Sequence, residues 1–406
     1  MREIILISFL GPDQPNQFTR LMQVLSAHSL QILDVGQAVI HNQLTLGIVV
    51  SSDDQTATAL AMKEILILAH DIGLTVRFKP ISAAEYEQWV REGGRTRYIV
   101  TALAPELNAS HLQAVTQIVS SQGFNIETVT RLSGRPELDG SNTGPKRACV
   151  QFGLKGQMLD AAAMRAACLS LSNNLNVDVA VQEDNAYRRN RRLVCFDMDS
   201  TLIEQEVIDE LAIEAGVGIQ VSEITERAMQ GELDFQQSFR ARVALLKGMD
   251  ASVLPKIAER LTVTEGAERL ISTLKALGYR TAILSGGFQY FAEYLQAKLG
   301  IDEVHANVLD VQDGVVTGEV KGHIVDGARK ALLLREIADN MGISLEQTIA
   351  VGDGANDLPM LSIAGLGVAF RAKPLVRQNA NQAISSVGLD GVLYLLGVHD
   401  KDLSRA

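Results

Sequence analysis

The sequence predicts three folded units: two small α+β units of ferredoxin-like βαββαβ order, then an α/β domain built on a Rossmann-like parallel sheet. Three observations carry this. The order strand, helix, strand, strand, helix, strand is read twice over 1–183, and Leu10 and Pro12 recur as Leu103 and Pro105, about 93 positions later. The apolar run Leu193-Val194-Cys195-Phe196 stops abruptly at Asp197-Met198-Asp199. Two later runs, 281–284 and 348–351, stop at Ser285-Gly286-Gly287 and at Gly352-Asp353-Gly354-Ala355-Asn356-Asp357. Short apolar runs ending in polar turns are the pattern of buried parallel strands, and such turns lie at the carboxyl edge where open α/β sheets bind ligands.

Composition narrows the field. A chain of 406 residues is too long for one ordinary core, and 47% hydrophobic with 21% charged residues describes a folded globular protein. No apolar run approaches the ~18 residues of a membrane span, and Met1-Arg2-Glu3 leads directly into a strand pattern, so no membrane partner and a cytoplasmic location are expected. Cys149, Cys168 and Cys195 show no paired spacing, which predicts buried thiols rather than disulfides or a zinc site. A formal charge of −11 argues against a nucleic-acid partner. The basic run 188–192 reads as a solvated hinge.

The elements follow in order. The first unit, 1–80, has a strand over 2–9, a break at Gly11-Pro12-Asp13, a helix carrying Phe18, Leu21, Met22 and Leu25, strands over 30–40 and 44–50, a helix over 56–72 and a strand near 74–79. An amphipathic connector over 81–97 contains Trp89, read as a packing residue. The second unit, 98–183, repeats the order with strands at 98–103, 124–132, 148–152 and 177–181, helices at 109–121 and 158–173, and a polar surface loop at 133–147. After a linker at 184–191 comes the last domain, 192–406, with a helical insertion at about 205–264 and a hairpin at 303–323 around Asp313-Gly314.

Residues two apart in a strand face the same way, so the carboxylates of Asp197 and Asp199 share one small volume, and two crowded anions need a cation. With Ser285-Gly286-Gly287, Lys330 at the opening of a helical stretch, and the 352–357 hexapeptide following in chain order, 192–398 resembles the haloacid dehalogenase superfamily of phosphotransferases. The longer run 197–210, Asp-Met-Asp-Ser-Thr-Leu-Ile-Glu-Gln-Glu-Val-Ile-Asp-Glu, is similar to the phosphoserine-hydrolysing branch of that superfamily. The resemblance implies a core with a helical cap and O-phospho-L-serine as substrate. It makes Asp197 the nucleophile and Asp199 the acid, then base. Lys330 would neutralise transition-state charge, and Ser285 with the N–H groups of Gly286 and Gly287, at a helix start, would bind phosphoryl oxygens. Mg²⁺ would be held by Asp197, Asp353 and the Asp199 carbonyl, an all-oxygen set without the His or Cys that zinc prefers. Asn356 and Asp357 would orient Lys330 and a water. In the cap, Glu206 would meet the substrate ammonium, Arg242 its carboxylate, and Met229 and Phe235 would wall off the site. Spacing alone does not separate Arg242 from Arg240.

Each βαββαβ unit resembles the small-molecule-binding ACT domain, in which a Gly-x-Asp strand-to-helix turn holds an amino acid between two such domains. Gly11-Pro12-Asp13 fits that pattern, and Ala104-Pro105-Glu106 lacks its glycine. The resemblance implies Gly11 and Asp13 as a regulatory site, L-serine as effector and a homodimer. Two rival readings remain open at this level: transfer of the phosphoryl group from phosphoserine to an alcohol such as homoserine, and an amino-acid-sensing regulatory protein.

Overall fold

The computed structural model describes residues 2–93, 96–136 and 146–403, without the side chain of Met229. The chain divides into two compact units, 1–95 and 96–406.

In the first unit β1 (Glu3–Pro12), α1 (Gln17–Ala27), β2 (Gln31–Ile40), β3 (Gln43–Ser52), α2 (Gln55–Asp71) and β4 (Thr75–Ile81) form an antiparallel sheet of order β2-β3-β1-β4. Its core joins Ile5, Ile7 and Phe9 of β1 to Leu21 and Leu25 of α1 and Ala61 and Ile65 of α2, the helical residues recurring at intervals of four as an amphipathic stripe must. Gly11 lies inside β1, where a Cβ would come within 2.7 Å of the Gly73 carbonyl. The Asp13 N–H donates to the Asn42 carbonyl at 2.9 Å. The connector forms α3 (Ala83–Glu92), opened by a Ser82–Glu85 capping box. Trp89 on it is 44% exposed, set against the Tyr86 ring at 5.9 Å, so its packing is local and partial.

The second unit begins with the same order: β5 (Arg97–Ala104), α4 (Ala109–Ser121), β6 (Asn125–Arg131), β7 (Ala148–Lys155), α5 (Ala161–Leu175) and β8 (Asp178–Glu183), in a sheet β6-β7-β5-β8. One face of that sheet packs its own helices through Val100, Val115 and Phe152. The other face, through Leu103, Leu132, Cys149 and Ala180, enters the core of the parallel sheet that follows.

That sheet starts with β9 (Leu193–Phe196). The cap contributes α6 (Val207–Glu214), α7 (Gly218–Met229), α8 (Phe235–Ala244) and α9 (Val253–Arg260). Then come α10 (Ala267–Ala276), β10 (Arg280–Phe288), α11 (Gln289–Leu299), β11 (Glu303–Gln312), β12 (Val315–Lys321), α12 (Gly327–Asn340), β13 (Thr348–Gly352), α13 (Leu358–Ile363), β14 (Leu366–Phe370), α14 (Pro374–Asn379) and β15 (Gln382–Ile384). The strand order is β12-β11-β10-β9-β13-β14-β15, parallel except for β12. β9 is central and buried on both faces, Leu193 and Cys195 in one core and Val194 and Phe196 in the other, which is why its sequence is apolar without alternation. Asp313 and Gly314 turn the β11–β12 hairpin at φ 50° and 80°, the left-handed pair of a tight two-residue turn. All three cysteines are buried free thiols.

The basic run at 188–192 is not a solvated hinge. Arg188 and Arg191 are each 4% exposed: Arg191 donates to Gln182 Oε1 (3.1 Å) and to the Gly365 carbonyl (3.3 Å), whereas Arg188 has Asp184 at 4.0 Å and its Nε and Nη2 are buried without a hydrogen-bond partner. The second βαββαβ unit is tied to the parallel sheet by further buried polar bonds. The Gln382 side chain donates to the Val181 carbonyl (2.6 Å) and accepts from its N–H (2.9 Å), standing in for a strand. Asp178 accepts from the Ser385 and Ser386 N–H groups and from the Ser172 and Ser386 hydroxyls, all at 2.7 Å. Removing that carboxylate leaves two buried N–H groups without an acceptor, so Asp178→Ala is expected to destabilise this unit by about 3 kcal/mol. A shift of the urea midpoint is the readout, and an unshifted midpoint would rule out the network as a structural tie.

Candidate active site

The sheet register brings the signature residues together. Phe196 pairs with Ile283 on one side and Val351 on the other, so the residues leaving β9, β10 and β13 emerge side by side at one carboxyl edge. The Asp197 N–H donates to the Val351 carbonyl at 2.8 Å, carrying the pairing one residue further. Asp197 follows β9, and Asp353 follows β13. Ser285, Gly286 and Gly287 belong to the irregular end of β10, two residues ahead of the first residue of α11 rather than at the helix start.

Lys330 enters from a third direction. Asp326 caps α12 by accepting from the Arg329 N–H at 2.9 Å, which points the first turn inward and leaves Lys330 fully buried. Its ammonium lies 2.7 Å from Asp197 Oδ1 and 2.7 Å from Asp357 Oδ1. Asp197 Oδ1 also accepts from the Met198 N–H (2.7 Å), Asp357 Oδ2 from the Gly354 N–H (2.9 Å), and Asp353 Oδ1 from the Thr201 hydroxyl (3.3 Å). Side-chain oxygens of Asp197, Asp353 and Asp357 lie within 4.8 Å of one another.

This concentration of carboxylates shows in their acidities. Burial, then Asp357 and Asp353, push the Asp197 carboxyl well above the usual carboxylate range, against the pull of Lys330. Burial and Glu206 do the same to Asp199. Burial, with Asp357 and Glu206, pushes Asp353 up to about 7. Burial alone would lower the Lys330 pKa, but Asp197 and Asp357 outweigh it and raise it. The donor chemistry fits a hard divalent cation: all donors are oxygen, and Asp197 Oδ2 and Asp353 Oδ2 carry no hydrogen bond among the described residues. The Asp199 side chain is outside this oxygen cluster. Its Oδ1 accepts from the Val207 N–H at 3.1 Å and its Oδ2 overhangs Gly287, where a Cβ would approach it to 2.5 Å.

A cleft of about 770 Å³ opens over these groups, lined by Asp197, Asp199, Gly286, Gly287, Asp353 and Asn356 from the core and by Glu206, Phe235 and Arg242 from the cap. Phe235 stacks on Phe239 (6.0 Å, 4°), which leans on Phe288 (5.7 Å), and a Cβ at Gly286 would come within 2.9 Å of the Phe235 ring. Arg242 is half-buried with its Nε lacking any partner, whereas Arg240 is exposed. Burial lowers the Arg242 pKa despite Glu206, Asp209 and Asp199 nearby. Glu206 accepts from the Ser200 hydroxyl at 2.9 Å. Met229 ends α7, and its side chain lies outside the described residues. Gly11 and Asp13 belong to the other compact unit.

Three residues of the site escape sequence reasoning. Thr201 touches Asp353. Buried Asn307 donates to the Gly286 carbonyl (2.8 Å) and accepts from the Val325 N–H (2.8 Å), bracing the glycine loop against the approach to α12. Lys373 lines the cleft from the loop after β14. The available signal for Asn307 was an amide set between Ala306 and the apolar pair Val308-Leu309 in β11.

A haloacid dehalogenase-like hydrolase family model matches residues 194–362, and an ACT domain model matches 3–79. A haloacid dehalogenase family hydrolase of Salmonella enterica serovar Typhi has a similar structure (TM-score 0.63, 30% identity, 73% of this chain and 98% of that one). So does a probable phosphoserine phosphatase of Vibrio cholerae (TM-score 0.59, 34% identity, 77% and 90%). The catalytic half is thus a haloacid dehalogenase-like hydrolase. Along its length the chain is 40% identical to the phosphoserine phosphatase of Streptomyces coelicolor, over 99% of this chain and 94% of that one, and 40% identical to that of Mycobacterium tuberculosis, over 99% and 95%. The chain belongs to the phosphoserine phosphatase family.

Because the folded-state pKa of Asp353 is raised, its contribution to stability is present at low pH and is lost as pH rises through about 7. The melting temperature of cation-free protein is therefore expected to fall between pH 6 and pH 8, and added Mg²⁺ to restore it. A cation-free melting temperature that rises over that interval would contradict the crowding of carboxylates.

Proposed function

We propose that the chain hydrolyses O-phospho-L-serine to L-serine and phosphate, the last step of L-serine biosynthesis, through an aspartyl-phosphate on Asp197. The observation that carries this reading is a single cleft lined by Asp197, which is paired with fully buried Lys330 beneath it, and, in the cap, by Arg242 with an unsatisfied Nε.

Asp197 has Oδ1 engaged by Lys330 and the Met198 N–H, so Oδ2 is the oxygen presented to phosphorus. It forms the new O–P bond as the P–O bond to serine breaks. Asp199, whose carboxyl is pushed toward its neutral form by burial and by Glu206, gives its proton to the departing serine oxygen. As a carboxylate it then takes a proton from the water that attacks the phosphoryl group, releasing phosphate and regenerating Asp197. Ser285 and the Gly286 N–H bind the phosphoryl oxygens, with the Gly287 N–H donating to Ser285 Oγ (2.9 Å) and orienting that hydroxyl, and Lys330 neutralises charge in both steps, held by Asp357. Asn356, on the cleft wall beside Asp353, contacts the phosphoryl group from the other side. Mg²⁺ held by Asp197, Asp353 and the Asp199 carbonyl would supply the positive charge that lets a carboxylate approach a phosphate dianion.

Selectivity rests with the cap. Arg242 takes the substrate carboxylate in a two-pronged pair, Glu206 takes the ammonium, and Phe235 closes the site to water. L-serine binding at the Gly11-Pro12-Asp13 turn of the first ACT domain, in a cytoplasmic homodimer, adjusts the rate.

Phosphate release from L-phosphoserine should require Mg²⁺, be abolished by chelator and be unaffected by added homoserine as acceptor. Asp197→Asn should lower kcat at least ~10⁴-fold with the fold intact. Arg242→Ala should lower kcat/KM for phosphoserine about 100-fold while leaving p-nitrophenyl phosphate within about threefold. Equal losses on both substrates would remove Arg242 from the selectivity role. Serine inhibition beyond simple product competition should vanish in a chain beginning at Thr96, together with the dimer mass by light scattering. Inhibition unchanged by that truncation would dismiss the first ACT domain as the sensor.

A further inference from the structure

A second cavity, of about 360 Å³, lies apart from the catalytic cleft, between α5 and β8 on one side and the residues around β14 and β15 on the other. That volume is in the range of small-molecule sites. Its wall on the α5 side is largely apolar, through Met158 ahead of the helix and Met164, Cys168 and Leu169 on it; Arg191 and Arg377 supply positive charge inside, and exposed Arg165, Glu183 and Glu346 stand around it. Arg191 is 4% exposed, and its Nε is buried without a partner, although both terminal nitrogens donate to neutral acceptors. Arg377 donates from Nη2 to the Ser172 hydroxyl at 2.9 Å, and its Nε is likewise buried and unpartnered. Neither guanidinium forms an ion pair among the described residues. The buried carboxylate on the same wall, Asp178, is saturated by two N–H groups and two hydroxyls. Burial, with the neighbouring Arg188, pulls the Arg191 pKa down to about 10. A buried cation without a counter-ion is costly, and an unsatisfied guanidinium N–H beside an apolar wall matches one kind of guest.

We propose that this cavity binds a small organic carboxylate with an apolar body, its charge neutralised by Arg191 and Arg377 and its body packed on α5. The site is coupled to the catalytic cleft through α14. Lys373, Leu375 and Val376 line the cleft, whereas Arg377 and Ala380, a turn further on, line this cavity. A ligand that draws Arg377 toward itself displaces the wall of the cleft, so occupancy alters turnover.

The test is calorimetric titration of the full chain with 4-methylpentanoate, using 4-methylpentanamide as the uncharged control. The expected result is saturable binding of the acid at one site per chain, no binding of the amide, and affinity reduced at least about tenfold in Arg377→Met and in Cys168→Phe, which fills the cavity and removes no charge. Absence of saturable heat up to about 50 mM acid, equal binding of the amide, or undiminished binding by Cys168→Phe would overturn the site. These binding readouts stand whether or not the chain hydrolyses phosphoserine. A kcat/KM for phosphoserine unchanged at saturating acid, with binding intact, would overturn the coupling through α14.

Discussion

One ammonium holds the catalytic edge together. Lys330 is buried between Asp197 and Asp357, with Asp353 close by, so three carboxylates share a single protein cation. Such a cluster is tolerable only if protons or a further cation make up the difference. The surrounding glycines follow from it. A Cβ at Gly352 would strike the Asp357 side chain, and one at Gly327 would sit 2.6 Å from the Asn356 carbonyl. The hexapeptide between β13 and α13 is dense in glycine and acid because the backbone must pass this close to the ion pair. Asp326 at the α12 amino terminus and the Gly354 N–H complete the support, so the cluster fixes where one helix starts and how one loop folds.

Core and cap divide the chemistry along the same line. On the proposed function, the groups assigned to the phosphoryl oxygens come from strand ends, the loop after β13 and α12, whereas those assigned to the rest of the amino acid come from the cap. The two halves meet where Phe235 crosses Gly286, and Gln236 reaches Asp326 at 2.6 Å. The residue that caps the Lys330 helix is therefore also a contact of the cap.

Legibility in the sequence tracked locality. β9 and β13 could be read because parallel strands buried on both faces are apolar without interruption, and the acids after them because a strand end is a fixed direction in space. The β11–β12 turn was legible in Asp313-Gly314 alone. Arg242 could not be separated from Arg240, since both lie on α8 and only the packing of the cap decides which faces the cleft. Arg188 and Arg191 look like solvated charge, and what buries them is tertiary: Arg191 finds its acceptors at Gln182 and at Gly365, the latter far away in the chain. The Ser-Gly-Gly segment was expected at a helix start, yet β10 continues irregularly to Phe288. Asn307 and Thr201 act only through partners that no local pattern announces.

The parallel sheet is finished at both rims. On one side, β12 exchanges backbone hydrogen bonds with the segment around Met249: Gly248 donates to the Val316 carbonyl, Val316 to Met249, and Ala251 to Gly314. On the other, the Gln382 amide spends both its donor and its acceptor on Val181. A sheet of seven strands would ordinarily offer two ladders to a passing chain. Here each is partly covered, so end-to-end growth of this sheet into fibrils has to displace the segment around Met249 on one flank or the βαββαβ unit on the other.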